Sequence, residues 1–213
     1  MTDGGAPGSE MTVTFAELLA RPGVDEVCEI RSRFGFMAFH GGALEIGTDV
    51  IARLAADRAG ASYYGVHQPA DVLVHIPSIR VDPAASTTFA GFLDHVDVVV
   101  AVHGYGRHGL WATLLLGGTN RVLAEHVAAH VAPLLPAYEV RLDLATIPVE
   151  LRGLHPDNPV NRPRQAGVQI ELPPRVRGTS PLWADWEGPG PTPHTQALID
   201  GLVRAAASWP LSS

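Results

Sequence analysis

Short, continuously apolar runs that alternate with helical patterns are the feature that most constrains the fold. Residues 34–39 (FGFMAF) and 98–102 (VVVAV) have strand length and contain only apolar residues and one glycine. A strand that is apolar on both of its faces is typical of a sheet covered on both sides. We therefore expect an α/β fold, a three-layer α/β/α domain with a mixed central sheet.

Periodicity and end signals assign the other elements. Thr14 and Glu17 have the spacing of a capping box, Ser86 is placed to cap a helix, and Gly60 ends one. Helices are predicted over TFAELLA, TDVIARLAADRAG, STTFAGFLDHV, TNRVLAEHVAAHVAPLL and TPHTQALIDGLVRAAASW. Strands are predicted in VDEVCEIRS, FGFMAFH, SYYGVH, VLVHIPS, DVVVAVH, LWATLLLGG, YEVRLDLATIP and GVQIELP. HPDNPVNRPRQ is expected to be an ordered loop or a lid.

Domain organisation and partners follow from composition. Residues 1–12 are polar and glycine-rich and are predicted to form a flexible N-terminus, whereas residues 13–213 contain no linker and should form a single domain. The formal net charge of -7 argues against a general nucleic-acid surface. No run approaches the roughly 20 apolar residues of a membrane helix, and the N-terminus lacks an export signal. We therefore expect a cytoplasmic protein that binds neither nucleic acid nor membranes.

Residues 104–109 (GYGRHG) follow an apolar run and contain the G-x-G-x-x-G pattern of a dinucleotide-binding turn. Such a turn must open a helix, because the helix N-terminus binds the pyrophosphate. The following LWATLLLGG is too short and too rich in branched and aromatic residues to be that helix. Nucleotide binding is therefore disfavoured, and the glycines are expected to leave room for a substrate beside His103.

Polar residues end three of the predicted central strands: His40, His103 and Glu171. Glu45 lies five residues beyond His40, across a Gly-Gly pair that allows a turn. Two imidazoles and one carboxylate are a ligand set of hydrolytic zinc, and the fourth position is left for water. His40, Glu45 and His103 are therefore candidate metal ligands. A carboxylate within a core strand is unfavourable unless it has a hydrogen-bonding partner or a functional role. Glu171 is therefore the candidate base that deprotonates the water.

Several segments in order resemble the zinc-dependent poly-γ-glutamate hydrolases of phages and bacteria, whose fold is similar to that of the zinc carboxypeptidases. They span residues 34 to 177, and the His-Gly-Gly and Val-Gln-Ile-Glu segments are the specific ones. The segments are FMAFHGGALEIGTDVIA, VLVHIPSIRVDPAA, VVVAVHGY, LLLGGTNRVLAEHV and NPVNRPRQAGVQIEL. The carboxypeptidases space their first two ligands more tightly, so kinship with them is at the level of fold.

This resemblance implies a zinc-dependent hydrolase of γ-glutamyl amide bonds in the single domain. It carries the zinc-ligand role to His40, Glu45 and His103 and the general-base role to Glu171. His75, in VLVHIPS, is expected to support a ligand and not to bind zinc.

Arginines are expected to bind the substrate, because guanidinium groups grip the α-carboxylates of a γ-glutamyl chain through paired hydrogen bonds. The candidates flank the Glu171 strand or follow the GGTN turn: Arg121, Arg162, Arg164, Arg175 and Arg177. A net charge of -7 disfavours a long polyanion, so a short or modified γ-glutamyl substrate stays open beside the polymer.

Two other functions stay open. One is an amidase or deacylase of another acyl amino acid on the same scaffold. The other is a non-catalytic binding protein, although all four predicted site residues are present. A serine hydrolase is disfavoured because the sequence contains no G-x-S-x-G.

Overall fold

The computed structural model describes residues 13–210, so the predicted flexible segment 1–12 lies outside the described residues. The strands are β1 (Asp25–Glu29), β2 (Phe34–Gly42), β3 (Ser62–Gln68), β4 (Val98–Gly104), β5 (Thr113–Leu116), β6 (Glu139–Arg141) and β7 (Gly167–Leu172). The helices are α1 (Phe15–Leu19), α2 (Thr48–Ala59), α3 (Thr87–His95), α4 (Arg121–Val131) and α5 (Pro193–Ser208). The strands form a mixed seven-stranded sheet in the order β1-β3-β2-β4-β7-β5-β6.

Strand β4 shows how the sheet is covered on both faces. Val98, Val100 and Val102 pack in a core that includes α2, α4 and α5. Val99 and Ala101 point the other way and pack in a core with α1 and α3. β2, β4 and β7 are parallel neighbours, while β1 and β5 pair antiparallel with β3 and β7. The predicted three-layer α/β/α class with a mixed sheet is therefore confirmed.

The parallel pairing brings the carboxyl ends of the central strands to one edge. The register places His103 of β4 directly opposite Glu171 of β7. The register between β2 and β3 shifts between Ala38 and Gly41, which makes β2 irregular at His40. Such an irregularity re-aims a side chain relative to the regular pleat. His40, His103 and Glu171 consequently lie on neighbouring strands at the same edge of the sheet.

One predicted strand, VLVHIPS, is wrong. Residues 72–77 have irregular backbone that leads into the 3-10 turn Ser78–Arg80. The Gln68 side chain occupies the backbone groups of Val74, donating from Nε2 to Val74 O at 3.1 Å and accepting from Val74 N at 2.9 Å. The Gln68 side chain thus makes the hydrogen bonds that a neighbouring strand would make. Val72, Val74 and Ile76 pack against the sheet without joining it.

Helix ends follow the predicted signals. Thr14 and Glu17 form the capping box of α1, Ser86 caps α3, and Gly60 ends α2 with a φ of 63°. Among residues 13–210, none of the helices combines the length and the apolar character that crossing a bilayer requires.

Ser86 generates a stability prediction, because its hydroxyl joins α3 to β1. Its Oγ accepts from Phe89 N at 3.1 Å and donates to the Glu26 carboxylate. Ser86→Ala removes both bonds and is expected to lower the free energy of unfolding by about 1–2 kcal/mol, measured by urea denaturation. Thr87→Ala, an exposed neighbour in the same turn, is the control. Equal losses in the two variants would contradict the capping role.

Candidate active site

A cavity of about 800 Å³ lies at the carboxyl ends of β2, β4 and β7. Its volume is in the range of small-molecule sites. Strand-end residues form its base, and two segments, 75–79 and 149–158, form its walls. The residues from the strand ends and the turn after β2 are His40, Glu45, His103, Gly104, Gln169 and Glu171.

The Glu45 carboxylate links the ends of β2 and β4. Its Oε1 lies 2.9 Å from Nδ1 of His40, and its Oε2 accepts a hydrogen bond from the Gly104 N–H at 2.8 Å. Oε2 also lies 3.6 Å from Nδ1 of His103. The turn that brings Glu45 back is closed by its own N–H, which donates to His40 O at 3.0 Å. His40 is held from the other side, where Nε2 lies 2.8 Å from Ile76 O.

Electrostatics couples the carboxylate and the two imidazoles. Burial raises the pKa of Glu45, but the charges of His40 and His103 and their hydrogen bonds outweigh it, so this pKa lies well below its usual range. Burial lowers the pKa of His103, but the hydrogen bond and charge of Glu45 and the charge of Glu171 raise it above its usual value. Glu45 is therefore ionised at neutral pH, as a metal ligand must be.

The spacing of these donor atoms fits a zinc ion. Two ligands of a tetrahedral zinc, each about 2.1 Å from the metal, lie about 3.4 Å from one another. The Glu45 oxygens lie 2.9 Å and 3.6 Å from the imidazole nitrogens of His40 and His103. Imidazole nitrogen and carboxylate oxygen are also ligand types that zinc accepts. Each distance involves a different Glu45 oxygen, and the ligand atoms that all lie within 4.8 Å of one another are those of His40, Glu45 and His75. These residue types could hold zinc, and His103 would need a side-chain shift to bind the same ion.

His75 contributes a fourth donor at the exposed side of this group. The ligand atoms of His40, Glu45 and His75 all lie within 4.8 Å of one another, and the His40 and His75 ring centroids are 4.9 Å apart. Burial and the neighbouring His40 lower the pKa of His75. Its position on the irregular segment 72–77 separates it from the strand-borne His103. The structure thus offers two imidazoles, His75 and His103, as companions of the His40–Glu45 pair.

Glu171 is buried on β7, and hydrogen bonds fix the orientation of its carboxylate. Nε2 of Gln169 donates to its Oε1 at 2.8 Å, and Oε1 of Gln169 accepts from Nδ2 of Asn158 at 2.8 Å. Burial raises the pKa of Glu171, and the charge of Glu45 raises it further, whereas the charge of His103 and the hydrogen bond from Gln169 lower it. The net result is a pKa of about 7. A carboxyl group that titrates near neutral pH can both accept and donate a proton.

Sequence reasoning missed Gln169 and Asn158. A signal existed for Gln169, because residues two apart on a strand share a face and Gln169 stands two before Glu171. Asn158 is buried within the predicted loop or lid, where it accepts from Val160 N at 3.2 Å. Only the tertiary structure shows that this segment returns to the sheet.

The predicted substrate-binding arginines are not brought together. Arg121 donates to four backbone carbonyls, those of residues 116, 117, 118 and 142. Arg162 pairs with Asp157, Arg164 pairs with Asp97, and Arg175 lies over the Tyr138 ring. None of the five predicted arginines lines the cavity, and Arg152, which sequence reasoning did not single out, does. The substrate role of the five stays a prediction.

Arg177 is the predicted arginine nearest to the candidate ligands. It donates to Leu172 O at 3.1 Å and to Ile46 O at 2.7 Å, and its guanidinium lies against Gly104. A Cβ at Gly104 would be 2.8 Å from Arg177 Cζ. Burial lowers the pKa of Arg177, while Glu45 and Glu171 raise it. Arg177 therefore occupies the space on the Cβ side of Gly104, while Gly104 also lines the cavity, so the room that the glycines leave for a substrate stays a prediction.

Glu171 generates a prediction for the zinc-free protein. Its pKa is about 7 in the folded state and 4.5 unperturbed, so the folded protein binds this proton more tightly. The associated stability is present below pH 4.5 and is lost as the pH rises through 7. Glu171→Gln is therefore expected to unfold like the wild type at pH 4.5 and to be more stable at pH 8, by about 2–3 kcal/mol in urea. A stability difference that does not change with pH would contradict the raised pKa.

Comparisons with known proteins identify a family and a curated relative. The model of the poly-gamma-glutamate hydrolase family matches residues 15–181. Protein YndL of Bacillus subtilis is 27% identical over 139 residues, which are 64% of this chain and 51% of YndL. The chain therefore spans about half the length of this curated relative.

Two solved structures have a fold similar to that of this chain. A bacteriophage poly-gamma-glutamate hydrolase is similar with a TM-score of 0.71 and 19% identity, over 86% of this chain and 88% of that chain. A zinc-free apo structure of YndL gives a TM-score of 0.70 and 20% identity, over 87% and 90% of the two chains. Because the family match extends over most of the sequence, the chain belongs to the poly-gamma-glutamate hydrolase family.

Proposed function

We propose that the chain is a zinc-dependent hydrolase of γ-glutamyl amide bonds, with Glu171 as its general base. The observation that carries the proposal is the position of His103 opposite Glu171 on parallel strands, beside the His40–Glu45 pair. A metal-ligating group and a buried, unligated carboxylate at one cavity are the parts that metal-assisted amide hydrolysis needs. Membership of the family supports the γ-glutamyl bond as the target.

His40, Glu45 and His103 are the proposed zinc ligands, through Nδ1 of each histidine and the Glu45 carboxylate. When bound, zinc would polarise the scissile carbonyl and lower the pKa of a bound water to about 7. The zinc-free state of the YndL structure supports zinc as the metal. His103 is preferred over His75 because a buried central strand holds a ligand more firmly than an exposed, irregular segment.

Glu171 is proposed to move the proton. Its carboxylate takes a proton from the attacking water, and the resulting acid donates that proton to the nitrogen of the leaving amine. The Gln169 amide donates to Oε1, so it holds the carboxylate in place and leaves Oε2 for the transfer. The pKa of about 7 suits both halves of this cycle at neutral pH.

The α-carboxylate of the γ-glutamyl group needs a cation. Arg152 lines the cavity, and Arg177 lies within electrostatic range of both Glu45 and Glu171. We therefore assign the α-carboxylate to Arg152 or Arg177. Arg121, Arg162, Arg164 and Arg175 do not line the cavity, and they are not among the charges that act on Glu45 and Glu171.

The general-base role predicts a specific loss. Zinc-loaded protein is expected to release free amine from γ-linked glutamyl peptides and not from α-linked ones. Glu171→Gln should lower kcat by about 100-fold or more and keep its zinc, because the amide cannot accept the proton. Glu150→Gln, which alters another cavity-lining carboxylate, is the control and should retain kcat within a few-fold. Absence of γ-glutamyl cleavage by the zinc-loaded protein would overturn the proposed function.

The ligand assignment predicts metal content. Alanine substitution of His40, Glu45 or His103 is expected to abolish stoichiometric zinc, measured by mass spectrometry of the metal, and the increase in Tm on zinc addition. His75→Ala should retain both. Loss of zinc from His75→Ala together with retention in His103→Ala would replace His103 by His75 in the ligand set.

A further inference from the structure

The cavity walls beyond the candidate ligands carry a set of apolar side chains. The segment after β3 contributes Pro77 and Ile79, and the segment after β6 contributes Val149, Leu151 and Leu154. The first segment lies beside His40, and the second lies beside Gln169. A group that extends from a scissile bond at this edge can therefore contact aliphatic side chains.

Three of these wall residues are large hydrophobic side chains that the fold leaves uncovered. Ile79 is 50% exposed, Val149 is 73% exposed and Leu154 is 38% exposed. Single exposed hydrophobic residues are common, but several around one cavity indicate a surface that gains free energy when an apolar ligand covers it. They are therefore candidates for substrate contacts.

Guanidinium groups that could bind a polyanion are few at the cavity. The lining carboxylates are Glu45, Glu150 and Glu171, the lining imidazoles are His40, His75, His103 and His155, and the lining guanidinium is that of Arg152. Nε of Arg152 already donates to Ile147 O at 2.8 Å. Glu150 is paired with Arg107. A γ-glutamyl polymer would bring one α-carboxylate per residue, whereas this cavity offers a single lining guanidinium.

Resting on the proposed function, we infer that the preferred substrate is a γ-glutamyl amide whose amine portion carries an uncharged, apolar side chain. Ile79, Val149 and Leu154 form the subsite for that side chain. Water adds across the amide: the C–N bond breaks, the γ-carboxylate forms, and Glu171 passes the water proton to the departing amine. Such a substrate brings one carboxylate fewer than γ-glutamyl-glutamate, because the second side chain is uncharged.

Two dipeptides of similar length test the inference. For the zinc-loaded protein, kcat/KM on γ-glutamyl-leucine is expected to exceed that on γ-glutamyl-glutamate at least tenfold, as contact of one apolar side chain can supply. Ile79→Arg and Leu154→Arg should each reduce this ratio by about tenfold or more. Val122→Arg is the matched control, because Val122 is 69% exposed on α4 and does not line the cavity. It should leave the ratio unchanged.

Calorimetric binding to the Glu171→Gln variant supplies a readout that does not need turnover. γ-Glutamyl-leucine is expected to bind at least tenfold more tightly than γ-glutamyl-glutamate. Equal or tighter binding of γ-glutamyl-glutamate, or equal or faster cleavage of it or of poly-γ-glutamate, would overturn the inference and leave the proposed function standing. Selective binding of γ-glutamyl-leucine without cleavage of any γ-glutamyl substrate by the wild type would overturn the proposed function and leave the apolar subsite standing.

Discussion

Burial of the central strands on both faces is the constraint on which the rest of the structure depends. β4 is buried from Val98 to His103, with one set of side chains facing α2, α4 and α5 and the other facing α1 and α3. Polar groups cannot be accommodated along such a strand without partners. They are therefore concentrated where the parallel strands end, and this edge becomes the site.

Two carboxylates at that edge, the half-buried Glu45 and the buried Glu171, have opposite electrostatic environments. Glu45 accepts from the Gly104 N–H and lies between two imidazoles, which keeps it ionised. Glu171 is buried and accepts one hydrogen bond from a side-chain amide, that of Gln169. Its burial raises its pKa, which is about 7. Environments that separate the pKa values of neighbouring acids are how one site supplies both a permanent charge and a proton-transfer group. This separation is what the proposed function requires of Glu45 as a ligand and Glu171 as a base.

Predictability differed between elements for identifiable reasons. The strands FGFMAFH and DVVVAVH and the capped helices were predictable because hydrophobic pattern and end signals agree with burial. VLVHIPS has the composition of a strand, yet the Gln68 side chain satisfies Val74 in place of a partner strand. The arginines were the weakest inference, because sequence proximity to Glu171 does not determine where a long side chain finds its partners. Arg152, which precedes the predicted cluster in the sequence, is the one that lines the cavity.

The sequence by itself determined the three-layer α/β class and named His40, His103 and Glu171, because apolar runs encode burial and a polar residue that ends such a run is conspicuous. Glu45 followed from its spacing after His40, across a Gly-Gly pair. Tertiary structure decided how these groups meet: the β4–β7 register, the turn that returns Glu45, the Asn158–Gln169–Glu171 chain and the proximity of His75. It also decided the apolar character of the cavity walls. These features join residues far apart in the chain, and local patterns carry no information about such contacts.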